Sequence, residues 1–115
     1  MAERRQHVRA RPVIDLPAEA DLVPPLQVGA LLVVDISLGG IGIWAQGRRP
    51  FEAGERVTLK LKLGHAEELE LPAVVRYTRG PDRSFCGMKF DELDDQRRQA
   101  VGRYVGELVE RGSLV

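Results

Sequence analysis

Apolar and polar positions follow two periods along the chain. Between Glu55 and Leu63 they alternate strictly, with Val57, Leu59, Leu61 and Leu63 in one phase and Thr58, Lys60 and Lys62 in the other. A period of two sends successive side chains to opposite faces, so this segment predicts a half-buried strand. Glu67 to Thr78 repeats the pattern, with Leu69, Leu71, Ala73, Val75 and Tyr77 in phase. Pro72 lies within it and cannot donate to a strand ladder, which predicts an edge position or a bulge there. Leu26 to Ile36 is rich in apolar and β-branched residues and reads as a buried strand. Ser37-Leu38-Gly39-Gly40 reads as a turn, because paired glycines accept positive φ, and Ile41 to Ala45 returns to complete a hairpin.

The remaining segments are shorter. Val13 to Leu16 reads as a short strand, and Pro17, Pro24 and Pro25 bracket a loop or edge segment after it. Gln46 to Gly54 reads as a loop. Gly64-His65 and Arg79-Gly80-Pro81-Asp82 read as turns, and Ser84 to Phe90 as the last strand. Asp91 is placed to cap a helix. Beyond it the period changes: Ala100, Val101, Tyr104, Val105, Leu108 and Val109 form one stripe at helical spacing. Gly102 and Gly106 weaken that helix by up to about 1 kcal/mol each relative to alanine, so it needs a packing partner. These elements amount to five to seven short antiparallel strands and a terminal helix. At this size the strands are expected to close into a small barrel, which removes exposed edges, with the helix over one end.

Composition narrows the function classes. The 115 residues suffice for one core, and 17 basic residues balance 17 acidic ones. Zero net charge argues against a broad surface for polymeric nucleic acid or membrane, so any anion site must be local. Aromatic residues are only 5% of the chain, which weakens a reading as a small barrel for RNA or single-stranded DNA. Cys86 is the single cysteine, so no internal disulfide forms; it reads as a small buried hydrophobe. His7 and His65 are the only histidines, and no metal-ligand spacing is present. There is no nucleophile elbow, P-loop or paired-carboxylate signature, so no catalytic residue is expected. Met1 to Arg11 is charged and lacks the apolar stretch of a secretory signal, and no apolar run approaches the roughly 20 residues that span a bilayer. A cytoplasmic location follows as the expectation.

Two short elements carry candidate chemistry. Arg5-Gln6-His7-Val8-Arg9 is an R-x-x-x-R pair preceded by Arg4, in a basic, polar leader that also holds Arg11. Pro12 stops this leader from becoming a long helix, so residues 1–12 read as a flexible arm and residues 13–115 as the folded domain. Asp35-Ile36-Ser37-Leu38-Gly39-Gly40 is a D-x-S-x-x-G turn. Either element alone has an ordinary explanation: arginines four apart are common on solvated surfaces, and Asp, Ser and Gly at a turn usually serve their own backbone.

In this order and 26 residues apart, from Arg9 to Asp35, the two elements resemble the signature motifs of the PilZ domain, the bacterial receptor module for cyclic di-GMP. Phe85-Cys86-Gly87-Met88-Lys89-Phe90 is similar to that family's last barrel strand, and Leu93 to Leu108 to its closing helix. The resemblance implies an all-β, six- to seven-stranded antiparallel barrel with a C-terminal α-helix. It also implies a ligand, cyclic di-GMP, and no cofactor. Arg5 and Arg9 match the family's pair and would grip phosphates or guanine O6 and N7 with their planar forks. Asp35 would accept hydrogen bonds from guanine N1-H and N2-H. Ser37 would bond a base edge or hold the turn, and Gly39 and Gly40 would let backbone approach the ligand. Arg4, just before the pair, would favour two stacked ligand molecules over one. The arm would order over the nucleotide and present a changed surface to a downstream protein partner. The alternative is an adaptor of the same fold that does not bind the messenger. Trp44 could stack on a base or pack on the barrel, and Arg48-Arg49 reads as a solvated loop.

Overall fold

The computed structural model describes residues 7–23, 30–46, 51–80 and 84–115. Its six strands are β1 (Ala18–Leu22), β2 (Ala30–Ile36), β3 (Gly40–Gln46), β4 (Arg56–Leu63), β5 (Leu69–Arg79) and β6 (Phe85–Phe90), followed by helix α1 (Asp95–Glu110). All neighbours are antiparallel, and the sheet closes as a barrel in the order β1-β2-β3-β6-β5-β4. The alternating phases point as the pattern predicts. Leu59, Leu61 and Leu63 of β4, Leu71, Ala73 and Val75 of β5, and Ile41, Ile43 and Ala45 of β3 are all buried in one core.

The helix closes one end. Val101, Tyr104, Val105 and Leu108 are buried, and the Tyr104 hydroxyl donates to the Leu16 carbonyl at 2.7 Å. Val109, expected in the stripe, is 38% exposed. Asp91 does not cap this helix. Glu92 takes a left-handed φ of 52° and turns the chain, and Asp94 becomes the cap, accepting from the Arg97 amide at 2.8 Å. Asp91 instead pairs with Arg56 at 3.0 Å.

Other expectations shift for reasons of pairing. Val13 to Leu16 forms a tight turn, with the Leu16 amide donating to the Val13 carbonyl at 3.0 Å; the strand beyond it is Ala18–Leu22, between β2 and β4. Of the segment Leu26–Ile36, residues 26–29 lie outside the described residues. Its described part faces water on one side: Leu32 and Val34 are exposed while Leu31 and Val33 pack against the core, because a single-layer barrel wall has an outer face; beyond the irregularity between Val33 and Asp35, Ile36 is buried. Arg48-Arg49 and part of the Arg79–Asp82 turn also lie outside the described residues. Phe51, expected in a loop, is a core residue. Pro72 sits where β5 runs past the end of β6, accepting at its carbonyl from the Asp91 amide at 2.9 Å. The register irregularity of β5 comes later, between Val75 and Tyr77. It throws Tyr77 out of phase and onto the outer surface, where a regular strand would have pointed it inward.

Burial raises the proton affinity of two core groups. The Cys86 thiol is pushed from 9.0 up to about 12 by burial and, secondarily, by the charge of Glu55. The Tyr104 phenol is pushed from 10.0 up to about 12 by burial and then by Glu107. Both hold their protons more tightly folded than unfolded. Their contribution to stability is therefore complete below pH 9 and is lost as pH rises toward 12. Urea midpoints measured across that window should fall, and a Cys86→Ala/Tyr104→Phe double variant should show a shallower fall than the wild type.

Candidate functional site

The D-x-S-x-x-G turn joins β2 to β3, and its serine builds it. The Ser37 side chain is nearly buried, and its Oγ accepts from the amides of Gly39 and Gly40, each at 3.2 Å. The Ser37 amide donates to the Gly40 carbonyl at 2.8 Å. Of the two expected roles for Ser37, holding the turn is the one this geometry displays. Gly40 meets β6 so closely that a Cβ would stand 2.3 Å from the Met88 carbonyl oxygen. Its absent side chain is thus a packing requirement of the β3–β6 seam. Gly39 is different: the nearest atoms to a Cβ there belong to the His7 ring, a side chain rather than backbone.

One further glycine shapes the site. Gly42 lies opposite Asp35 across β2 and β3, next to an irregularity between Val33 and Asp35. A Cβ on Gly42 would come within 2.8 Å of Asp35 Oδ1. The Asp35 carboxylate therefore lies over a strand position that must lack a side chain. The sequence signal for Gly42 is the second glycine of Gly40-Ile41-Gly42, in a strand that is apolar as far as Ala45.

The leader runs beside this turn. Ala10 is fully buried and exchanges two backbone hydrogen bonds with Ile36, both at 2.9 Å. On its other side the C-terminal tail holds it: the Arg11 amide donates to the Ser113 carbonyl and the Val115 amide to the Arg9 carbonyl. The segment read as an arm over residues 1–12 is thus anchored to the barrel at Ala10. Arg4 and Arg5 lie outside the described residues. Arg9 is delivered directly to Asp35, its Nη1 at 2.5 Å from Oδ1, with the two side chains 21% and 13% exposed.

A cleft of about 330 Å³ opens beside this pair. Arg9, Ser37, Gly39 and Gly40 line it, so most of the described residues expected at the site meet there. Asp35 is not on the lining and meets the cleft through its contact with Arg9. The opposite wall comes from Arg76 and Tyr77 of β5 and Gly87 and Lys89 of β6. These were missed because their phase depends on the β5 bulge and on which strand lies beside β3. Trp44 is 39% exposed on the outer wall, opposite Leu32 and Phe85, and does not line the cleft. Among the described residues no group of histidine, cysteine or carboxylate side chains is arranged to hold a metal. Among them, no helix is long and apolar enough to cross a membrane.

Comparison with curated proteins finds no match. Solved structures match over nearly the whole chain. The PilZ domain of YcgR from Escherichia coli, solved with c-di-GMP, gives a TM-score of 0.72 at 14% identity, covering 96% of this chain and 95% of that one. A second structure, YcgR in complex with c-di-GMP, gives 0.72 at 15% identity over 96% of this chain and 48% of that one. The Bacillus subtilis inhibitor of motility, MotI/DgrA, gives 0.67 at 26% identity over 96% of this chain and 52% of that one. The chain thus spans about half the length of these last two proteins. The model of the PilZ domain matches residues 3–107. With that match across most of its length, and with this barrel, the chain belongs to the PilZ domain family, a family of ligand-binding and adaptor domains.

Proposed function

We propose that this protein is a receptor for cyclic di-GMP and not an enzyme, with Arg5, Arg9, Asp35, Ser37, Gly39 and Gly40 forming the site and Arg4 next to it. The observation that carries this reading is the Arg9–Asp35 contact: residues 26 apart in sequence are 2.5 Å apart at the edge of a cleft. The two motifs can therefore act on one molecule. Arg9 supplies a planar, permanently charged fork for a phosphate or a guanine edge, and Asp35 supplies acceptors that match guanine N1-H and N2-H. The solved complexes of YcgR with c-di-GMP share the fold and support the choice of ligand.

Binding would draw Arg9 from Asp35 toward the ligand and disturb the backbone bonds that flank it at Ala10 and Arg11. The leader would then present a different surface to a downstream partner protein. We place the protein in the cytoplasm, where that messenger is made. Isothermal titration with cyclic di-GMP, with cyclic di-AMP as competitor, tests the reading. Saturable heat with cyclic di-GMP and failure of cyclic di-AMP to displace it are expected. If neither dinucleotide produces heat, the adaptor reading replaces this one.

A further inference from the structure

The charges around the cleft are unevenly compensated. Arg9, the described arginine of the first motif, is already neutralised by Asp35 and is largely covered. Arg76 and Lys89, on the facing wall, are exposed, and among the described residues neither has a carboxylate within ion-pair distance. The fold delivers both to the same surface. Lys89 lies directly opposite Gly40, so no side chain on β3 covers it. Arg76 is the residue skipped by the register irregularity between Val75 and Tyr77, and the bulge leaves Arg76 and Tyr77 both exposed. The Tyr77 ring lies across Gly87, where a Cβ would come 2.4 Å from it. Tyr77 thus lines the cleft together with the two cations, and the Arg79 guanidinium lies 4.8 Å from its ring centroid. Lys89 also borders a neighbouring cavity of about 180 Å³ with Glu92 and Arg98, where Glu92 is the carboxylate and does not pair with either.

An arriving dianion therefore meets uncompensated positive charge on the β5–β6 wall and, at Arg9, positive charge already paired with Asp35. We propose that Arg76 and Lys89 form a second anion subsite, which captures one phosphate of the dinucleotide while Arg9 is still held by Asp35. This rests on the cyclic di-GMP reading for the identity of the ligand, but the subsite's chemistry is that of any phosphate or pyrophosphate group. Exposed cations of this kind act over roughly a Debye length, about 10 Å at 0.1 M salt, so their contribution is sensitive to ionic strength.

The test uses the full chain and two titrants, cyclic di-GMP and inorganic pyrophosphate, followed by amide NMR shifts and calorimetry at two salt concentrations. Arg76→Ala and Lys89→Ala should each weaken cyclic di-GMP about tenfold, the loss of one charge-assisted contact. The double variant should lose most of the salt dependence. Pyrophosphate should shift the amides of Gly87 and Lys89 in the wild type and not in the double variant. Arg103→Ala, an exposed arginine on α1 away from the cleft, should match the wild type in every measurement. If pyrophosphate shifts these amides but cyclic di-GMP does not bind, the subsite stands and the choice of ligand falls. If the double variant binds cyclic di-GMP within twofold of wild type with the same salt dependence, the subsite is overturned and the choice of ligand survives. If neither titrant shifts the cleft amides, both fall.

Discussion

An Arg9→Ala variant should bind cyclic di-GMP at least about 100-fold more weakly than the wild type, a loss of about 2.7 kcal/mol. The guanidinium ties the first motif to the second through its 2.5 Å contact with Asp35 Oδ1. Removing it deletes a bidentate donor for the ligand and also leaves Asp35, 13% exposed, without its counter-charge. The variant should therefore be less stable as well, by about 1–3 kcal/mol in urea unfolding. The two effects separate in a double-mutant cycle. Adding Asp35→Ala removes the stranded carboxylate, so the double variant should recover much of the stability and none of the affinity. An Arg9→Ala protein that binds within threefold of the wild type would take Arg9 out of the site.

Gly40→Ala should cost about 3 kcal/mol and lower Tm by roughly 10 °C or more. The added Cβ would stand 2.3 Å from the Met88 carbonyl oxygen, a backbone atom inside the β3–β6 ladder. Backbone in a paired strand has nowhere to go without breaking neighbouring bonds. Gly39→Ala is the matched comparison. There the Cβ would stand 2.8 Å from the tip of the His7 ring, which can rotate away, so Tm should stay near the wild type. The pair distinguishes two accounts of the motif glycine. If Gly40→Ala keeps its Tm and loses only ligand, the glycine serves the ligand and not the seam.

The anchored leader links these predictions. Arg9 is flanked by bonds to β2 on one side and to the C-terminal tail on the other, through Ile36, Ser113 and Val115. A ligand that moves Arg9 acts on both at once. The lever is short, because Ala10 is fully buried between them.

What depended on local pattern was legible in the chain. The period of two over Arg56–Leu63, the Gly-rich turn after Ile36 and the stripe from Val101 to Leu108 each set a face by themselves, because burial repeats along one element. The two motifs were legible as residue types and spacing. Pairing decided the remainder. Asp94 replaced Asp91 as the helix cap because β6 runs to Phe90, Asp91 is tied to Pro72 and Arg56, and the chain turns at Glu92. Tyr77 faces outward because of a bulge whose position is set by the neighbouring strand. Ala18–Leu22 holds its place in the wall mainly through its ladder with β4, since its short alanine-rich sequence carries little apolar signal. Above all, no local rule could bring Arg76 and Lys89 across from Arg9. Their placement follows from barrel closure, which seats β6 between β3 and β5 and so sets three distant stretches of chain around one cleft.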